Sequence, residues 1–201
     1  MQQLVRLGAN LVGAAGAAYF AAVTLEAYLR THRLLGVGFF VEQMVVVVVY
    51  LVRRPARQVT RRSTDWVLAF GGTFVPVLLR PDGTHPALGV NLGIAFGVLG
   101  LAICLWSFLA LGRSFGFAAA DRGLVRDGPY AVVRHPIYAS YLLLQCGYVL
   151  QSVSLRNLVV FLMASGFNVG RALVEDELLA GNPAHAAYRG KVRWRLVPGL
   201  W

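Results

Sequence analysis

The feature that most constrains this chain is a succession of long apolar runs separated by short segments rich in arginine. Hydrophobic residues make up 57% of the 201 positions and charged residues only 14%, against about 25% charged in an average soluble domain. So few polar residues could not cover the surface of a soluble fold. The apolar runs are 9–29, 34–52, 66–79, 87–111, 137–150 and 155–169.

Because a helix needs about 20 apolar residues to cross a bilayer, these runs predict an all-α, polytopic transmembrane bundle of about five or six hydrophobic helices. Pro76 is expected to kink or end the third run. The last two runs are each short for a full crossing. We expect them to form a closely paired or re-entrant helical hairpin at about 137–169.

The charges indicate how the chain is oriented. The net charge is +10 and comes almost entirely from arginine, since Lys191 is the single lysine. In a soluble protein this excess would suggest a nucleic-acid partner, but here the charges lie between apolar runs, where lipid headgroups and the positive-inside rule explain them. The rule predicts cytoplasmic N- and C-termini and cytoplasmic loops at 53–64 and 112–135. The arginine bias is also typical of GC-rich bacterial genomes, which suggests a bacterial inner membrane.

This orientation divides the chain into two parts. Residues 1–111 are predicted to form N-terminal transmembrane helices, and residues 112–201 a C-terminal region whose polar segments meet at the cytoplasmic side.

Cys104 and Cys146 both lie inside apolar runs with no histidine or thiol at metal-ligand spacing. We therefore predict no metal site and interpret both cysteines as buried and inert.

The densest cluster of chemically special residues lies just before the fifth apolar run. Gly128-Pro129 predicts a turn, and Arg134-His135-Pro136 places a fixed cation and a titratable ring at the start of a helix, with proline suited to its first turn. An alternative interpretation is a loop at the membrane interface, in which arginine and tyrosine anchor to headgroups.

A second cluster follows the last apolar run, where Arg171 precedes the consecutive acids Glu175, Asp176 and Glu177. Arg171 and Glu175 would share a helix face, and a surface ion pair is the simplest explanation in a soluble helix. Here, however, three of only nine acidic residues are consecutive beside a membrane segment. Ionisable groups at membrane depth are candidates for function.

Taken together, these stretches resemble the membrane methyltransferase family that includes isoprenylcysteine carboxyl methyltransferases and phospholipid methyltransferases. The resemblance covers roughly residues 105–201, and the first hundred residues match only as hydrophobic helices. One departure is visible, because the family usually has a Glu-Glu pair where this chain has Glu175-Asp176. The segments that carry it are 111–116, Gly128-Pro129-Tyr130, Arg134-His135-Pro136 with Tyr138, and Glu175-Asp176 followed by Leu179, Tyr188 and Pro198.

The resemblance implies an S-adenosylmethionine-dependent methyltransferase whose lipophilic acceptor, isoprenoid or lipid-like, enters from the bilayer. It also implies a cofactor pocket closed by the 128–135 loop and the C-terminal tail. No soluble-type nucleotide motif competes with this interpretation. The implied catalytic residues are Arg171 and Glu175. The implied cofactor-binding residues are Tyr130, Arg134, His135, Tyr138, Glu175 and Asp176.

Individual roles follow from the same resemblance. Glu175 would hold the ammonium of the methionine portion or take a proton from the acceptor, and Arg171 would orient Glu175 or clamp an acceptor carboxylate. His135 and Tyr138 would bind the cofactor, Tyr130 would stack on adenine, and Arg134 would hold the cofactor's carboxylate.

Two other functions stay open at this point. The first is a membrane reductase of the sterol reductase type, which would bind NADPH. The second is a non-catalytic transporter or scaffold subunit, against which stands the scarcity of acids inside the helices. Glu26 and Glu42 are the other acids well inside apolar runs, and both are expected near helix ends, within reach of water.

Overall fold

The computed structural model describes the backbone of residues 2–32, 34–81 and 83–201, with side chains except those of residues 2–6, 27, 31 and 34–36. The chain is mostly helical, at 73%. The long helices are α1 (Gln2–Thr31), α2 (Leu34–Val52), α3 (Ser63–Phe74), α4 (Ala87–Leu111), α5 (Pro136–Gln151) and α6 (Leu155–Leu179), and a short α7 (Pro183–Lys191) follows. Two short strands, β1 (Gln58–Val59) and β2 (Ala120–Asp121), pair antiparallel.

Three helices within the described residues are long and apolar enough to cross a membrane: Leu7–Arg30, Ala87–Ser114 and Leu155–Leu179. Val37–Val52 is a shorter apolar helix. Large hydrophobic side chains stand exposed along the outer faces of the bundle, among them Val12 on α1, Val98 and Leu109 on α4, and Leu162 on α6. Such extensive exposed apolar surface is unfavourable in water and suits contact with lipid. The architecture is that of an all-α integral membrane protein.

Glycines bring α4 and α5 into close contact. Gly89, Gly93, Gly97 and Gly100 are all buried on one face of α4. A Cβ added to Gly147 of α5 would lie 2.7 Å from the carbonyl oxygen of Gly93 and 3.1 Å from the backbone nitrogen of Gly97. Small residues allow helix backbones to approach in lipid, where packing rather than hydrophobic burial drives association. This pair of helices supports both ends of the loop that carries the site.

Two prolines end or begin helices where the sequence predicts. The α-helix α3 ends at Phe74, and a 3-10 turn over Val75–Leu78 carries Pro76 at its start. Pro136 is the first residue of α5, with His135 as its N-cap. The sixth helix differs from expectation, because α6 continues beyond the apolar run to Leu179 and is long enough to cross the membrane.

The expected position of Glu42 is wrong. Glu26 is exposed and pairs with Arg30 at 2.5 Å, as a side chain that reaches water would. Glu42 instead lies well inside α2, where it is 6% exposed. Its carboxylate accepts a hydrogen bond from Gln43 at 2.6 Å, and the Sγ atom of Cys104 on α4 lies 4.0 Å away. The packing of α2 against α4 covers this side chain.

The polar segments predicted to share one side of the membrane meet at one end of the bundle. The β1–β2 pairing joins the 53–64 segment to the 112–135 segment, and the backbone N–H of Arg54 donates to the carbonyl of Arg113. Arg53 donates to the side chain of Asn10 at 2.6 Å, which places the beginning of α1 at the same end. The C-terminal tail also lies here, against the residues just before α5.

Candidate active site

A cleft opens at this end of the bundle, where α4 and α6 end and α5 begins. The cleft is partly open to solvent. Two acidic side chains, two arginines and two histidines line it together with residues of the loops. The lining residues are Leu111, Ser114, Ala120, Asp121, Arg122, Gly123, Leu124, Val125, Tyr130, Arg134, His135, Glu175, Leu179, Asn182, His185 and Tyr188.

Asp176 is the centre of a buried hydrogen-bond network behind this cleft. Its carboxylate accepts from Arg134 at 2.7 Å, from the Nε of Arg195 at 3.0 Å and from the Nε2 of His135 at 3.1 Å. A second imidazole, that of His185, lies 3.8 Å away. Charge-assisted bonds to two guanidinium groups compensate for the removal of this carboxylate from water. Asp176 therefore ties together the 134–135 loop, α6, α7 and the tail.

The C-terminal tail completes the site by pairing with the loop. The backbone N–H groups of Arg134 and His135 donate to the carbonyls of Trp194 and Arg195, both at 2.9 Å. The guanidinium of Arg195 also lies over the ring of Trp201 at 4.8 Å. These contacts hold His135 in place from both its backbone and its side chain.

Glu175 differs sharply from its neighbour. Its side chain is 32% exposed, whereas that of Asp176 is 5% exposed. Its Oε2 accepts a hydrogen bond from the hydroxyl of Tyr138 at 3.1 Å and lies 3.8 Å from the Nδ1 of His135. No arginine of the described chain pairs with it within 4.0 Å. Glu175 is thus the carboxylate that the protein orients into the cleft without neutralising it.

Arg171 does not form the ion pair with Glu175 that helical spacing allowed. Its NH2 donates to the carbonyl of Phe117 at 2.9 Å, and its guanidinium lies over the ring of Tyr138 at 4.9 Å. The ring of Tyr138 also stacks on His135, with centroids 5.8 Å apart. Arg171 therefore reaches Glu175 only through Tyr138, whose hydroxyl holds the carboxylate.

The structure thus separates the predicted site residues into two groups. Tyr130, Arg134, His135 and Glu175 line the cleft. Tyr138, Arg171 and Asp176 are absent from its lining. Tyr138 and Asp176 contact residues that line it, and Arg171 contacts Tyr138. The Tyr130 ring is buried, and its backbone carbonyl accepts from the hydroxyl of Tyr188 at 2.6 Å.

Three residues that the sequence did not single out also belong to the site. Arg195 and His185 contact Asp176, and Arg122 lines the cleft with two buried nitrogen atoms that have no hydrogen-bond partner. Arg122 stands among four arginines between residues 113 and 134, and nothing in its local sequence distinguishes it from the others. The folding of the loop decides that Arg122, rather than a neighbouring arginine, has two guanidinium nitrogen atoms buried in the cleft wall.

Burial changes the pKa of several groups here. It lowers the pKa of His185 below 6.5, although Asp176 opposes this change, so that His185 is neutral at pH 7. Burial also lowers the pKa of the Arg134 guanidinium, again against the carboxylate of Asp176. For Tyr130, burial raises the pKa well above 10, and Glu175 adds to the effect. The phenol of Tyr130 therefore stays protonated at neutral pH.

Comparison with known proteins identifies the segment that holds this geometry. Residues 88–182 match a family described as phospholipid methyltransferase, and this range runs from α4 to just past α6. It includes Tyr130, Arg134, His135, Tyr138, Arg171, Glu175 and Asp176, but not the tail beyond residue 182. No curated protein matches the chain. Residues 88–182, slightly less than half of the chain, are thus similar to the phospholipid methyltransferase family of membrane methyltransferases.

Proposed function

We propose that this chain is an integral membrane methyltransferase that uses S-adenosylmethionine to methylate a lipophilic, isoprenoid or lipid-like acceptor. One observation carries the proposal. Asp176, in the family-matched segment, is ion-paired with Arg134 and Arg195, whereas its neighbour Glu175 pairs with no arginine of the described residues, is oriented by Tyr138 and lines the cleft. A carboxylate of this kind suits an ammonium ligand or an acceptor proton.

The residues of the cleft fit an adenosyl amino acid. Glu175 offers a carboxylate to an ammonium group. The Nδ1 of His185 and the Nε of Arg134 are buried polar atoms without a hydrogen-bond partner, and both residues line the cleft. Buried polar groups are usually satisfied, and a polar ligand would satisfy them.

The chemistry assigned to the protein is alignment, exclusion of water and control of one proton. S-adenosylmethionine supplies an electrophilic methyl group on a sulfonium when bound. Glu175 would hold the ammonium of its methionine portion or accept a proton from the acceptor. Tyr138 and His135 orient Glu175, and Arg171 positions the ring of Tyr138. The tail and the 128–135 loop would keep bulk water from the reacting atoms.

A second, apolar groove supports a lipophilic acceptor. It lies between α2 and α4, has an empty volume of about 850 Å³, and is lined from Phe40 to Val52 on α2 by apolar side chains. It ends at Gly112 and Arg113, while Leu111 and Ser114 line the cofactor cleft. The 3-10 turn Gly112–Ser114 is thus shared by both walls, so a hydrocarbon chain in the groove would reach the cleft directly.

The same proposal includes the finer features of the fold predicted from the sequence. Five or six helices would cross the membrane, and α7, which is short and polar, would not be among them. Residues 1–111 would form the N-terminal helices and residues 112–201 the catalytic region, with both termini in the cytoplasm of a bacterial cell. The arginine-rich ends of the loops and access to a water-soluble cofactor support this orientation.

Binding of the cofactor product tests the proposal. The full chain, purified in detergent, is titrated calorimetrically with S-adenosylhomocysteine, and with NADPH as the control ligand. We expect S-adenosylhomocysteine to bind and NADPH not to bind, and Glu175→Ala and His135→Ala to weaken binding in folded protein. Binding of NADPH alone would support the reductase, and binding of neither would support a non-catalytic role. The family match favours neither alternative.

A further inference from the structure

Arg122 is a cation of the cleft that the protein itself leaves without a partner. Its guanidinium makes no hydrogen bond or ion pair to any residue that the structure describes, and its Nε and NH1 atoms are both buried. Arg134, the other arginine lining the cleft, donates to Asp176 at 2.7 Å. Buried polar atoms of a cation without hydrogen-bond partners are unfavourable, so the partner of these two nitrogen atoms is expected to arrive with a ligand.

The surrounding loop holds Arg122 in this position. Asp121 pairs with Gln58 in the β1–β2 ladder, and its Oδ1 accepts from the backbone N–H of Gly123 at 3.0 Å. The hydroxyl of Ser114 donates to the Arg122 carbonyl at 3.3 Å. Gly123 has a φ of +98°, a conformation that side chains other than glycine rarely adopt. The backbone on both sides of Arg122 is therefore fixed to the cleft wall.

Gly116 provides the space that the guanidinium occupies. A Cβ built on Gly116 would collide with the NH1 of Arg122 and would lie 3.3 Å from its Cζ. Any larger residue at this position would displace the guanidinium of Arg122. The site is thus shaped around the arginine from two separate parts of the loop.

The electrostatic environment of Arg122 also favours the binding of an anion. Burial, and after it the nearby guanidinium of Arg53, lower the pKa of Arg122 to about 10, while Tyr50 and Glu175 act in the opposite direction. Arg122 thus remains charged at pH 7 but is destabilised. A carboxylate placed between it and the cleft would form charge-assisted hydrogen bonds in a site partly shielded from water.

Resting on the proposed function, we infer that Arg122 binds the carboxylate of the cofactor's amino-acid portion, a role that the sequence had suggested for Arg134. Glu175, on the same cleft, binds the ammonium. The two side chains together would recognise a zwitterionic amino acid by its opposite charges. Arg134 instead belongs to the internal network of Asp176.

The test removes the carboxylate from the ligand and the cation from the protein separately. Wild type, Arg122→Gln and Arg126→Gln are titrated with S-adenosylhomocysteine and with its decarboxylated analogue, which keeps the amine. Arg126 is the matched control, because it lies in the same loop, is exposed, and makes one side-chain hydrogen bond to the described residues, to the Ala184 carbonyl at 3.4 Å. Wild type and Arg126→Gln are expected to prefer the carboxylated ligand by about 10- to 100-fold. Arg122→Gln is expected to show no preference.

Each result has a definite meaning. A preference that survives in Arg122→Gln, or is absent from wild type, overturns the assignment while S-adenosylhomocysteine binding still supports the proposed function. Failure of wild type to bind either ligand overturns both. Repeating the titration in nanodiscs with and without phosphatidylglycerol separates a lipid anion from the cofactor. An effect of Arg122→Gln that appears only with the anionic lipid overturns the assignment.

The thermal midpoint without ligand separates binding from a structural role. Because the substitution removes a half-buried cation whose buried nitrogen atoms make no hydrogen bond in the described structure, Arg122→Gln is expected to melt at the wild-type temperature or above it. A lower midpoint, together with equal losses for both ligands, would make Arg122 a structural residue and overturn the assignment.

Discussion

Three consecutive acids at the end of α6 allow a sharp test of the buried network. The side chains of Glu175, Asp176 and Glu177 are 32%, 5% and 59% exposed. Asp176→Asn removes the negative charge of the network with almost no change of shape. Glu177→Gln makes the equivalent change in an exposed ion pair, in which Arg62 lies 2.8 Å away.

The magnitudes follow from the partners that each carboxylate neutralises. Asp176 faces Arg134, whose side chain is 6% exposed, at 2.7 Å, and Arg195 at 3.0 Å. Removing one member of a buried ion pair typically costs about 3–5 kcal/mol, because the other charge stays buried. An exposed pair contributes about 0–1 kcal/mol. For a chain of this size, 1 kcal/mol shifts the melting temperature by about 2–4 °C, so Asp176→Asn should lower it by about 6–20 °C.

Intrinsic tryptophan fluorescence of the full chain during heating in detergent measures both variants. Trp194 and Trp201 lie in the tail that Asp176 anchors through Arg195, so the signal reports loss of this contact. Glu177→Gln should melt within about 4 °C of wild type. Equal midpoints for Asp176→Asn and Glu177→Gln would refute the interpretation of Asp176 as the centre of the buried network.

Three further predictions concern catalysis, helix packing and pH. Glu175→Gln should abolish transfer of a radiolabelled methyl group to lipid while changing the melting temperature little, and activity at the wild-type level would exclude its assigned role. Gly147→Ala should lower stability by about 1–3 kcal/mol in heating experiments, because the added Cβ would lie 2.7 Å from the Gly93 carbonyl; an unchanged midpoint would mean that α4 and α5 are not in close contact. Burial lowers the pKa of His185 in the folded state, so its contribution to stability is present above pH 6.5 and is lost as pH falls below that value. His185→Gln should therefore reduce the loss of stability on acidification, whereas the exposed His85→Gln should not; equal pH profiles would contradict the predicted shift.

Much of the helical framework could be predicted because apolar runs report directly on contact with lipid. The predicted runs at 34–52 and 87–111 coincide with α2 and α4. Pro76 and Pro136 mark a helix end and a helix start because proline lacks a backbone donor. The end of α6 was underestimated, since its backbone hydrogen bonds continue to Leu179 after the apolar side chains stop.

The roles of individual site residues were harder to predict, because they depend on which way each side chain points. Neighbouring residues on a helix are turned by about 100° from one another, and this turn makes Asp176 a buried network centre and Glu175 a cleft residue. The i,i+4 spacing of Arg171 and Glu175 permitted an ion pair. The Phe117 carbonyl, from a distant loop, takes the Arg171 guanidinium instead.

The sequence by itself determined that the chain is a membrane protein, where most of its helices lie, and which segments resemble the family, because hydropathy, proline and motif order are local properties. Only the tertiary structure decided which charges neutralise one another. The pairing of β1 with β2 and of the tail with the 134–135 loop brings Arg195 to Asp176 and leaves two nitrogen atoms of Arg122 without a hydrogen-bond partner among the described residues. The energy of a buried charge depends on neighbours within a few ångströms, and those neighbours come from distant parts of the chain.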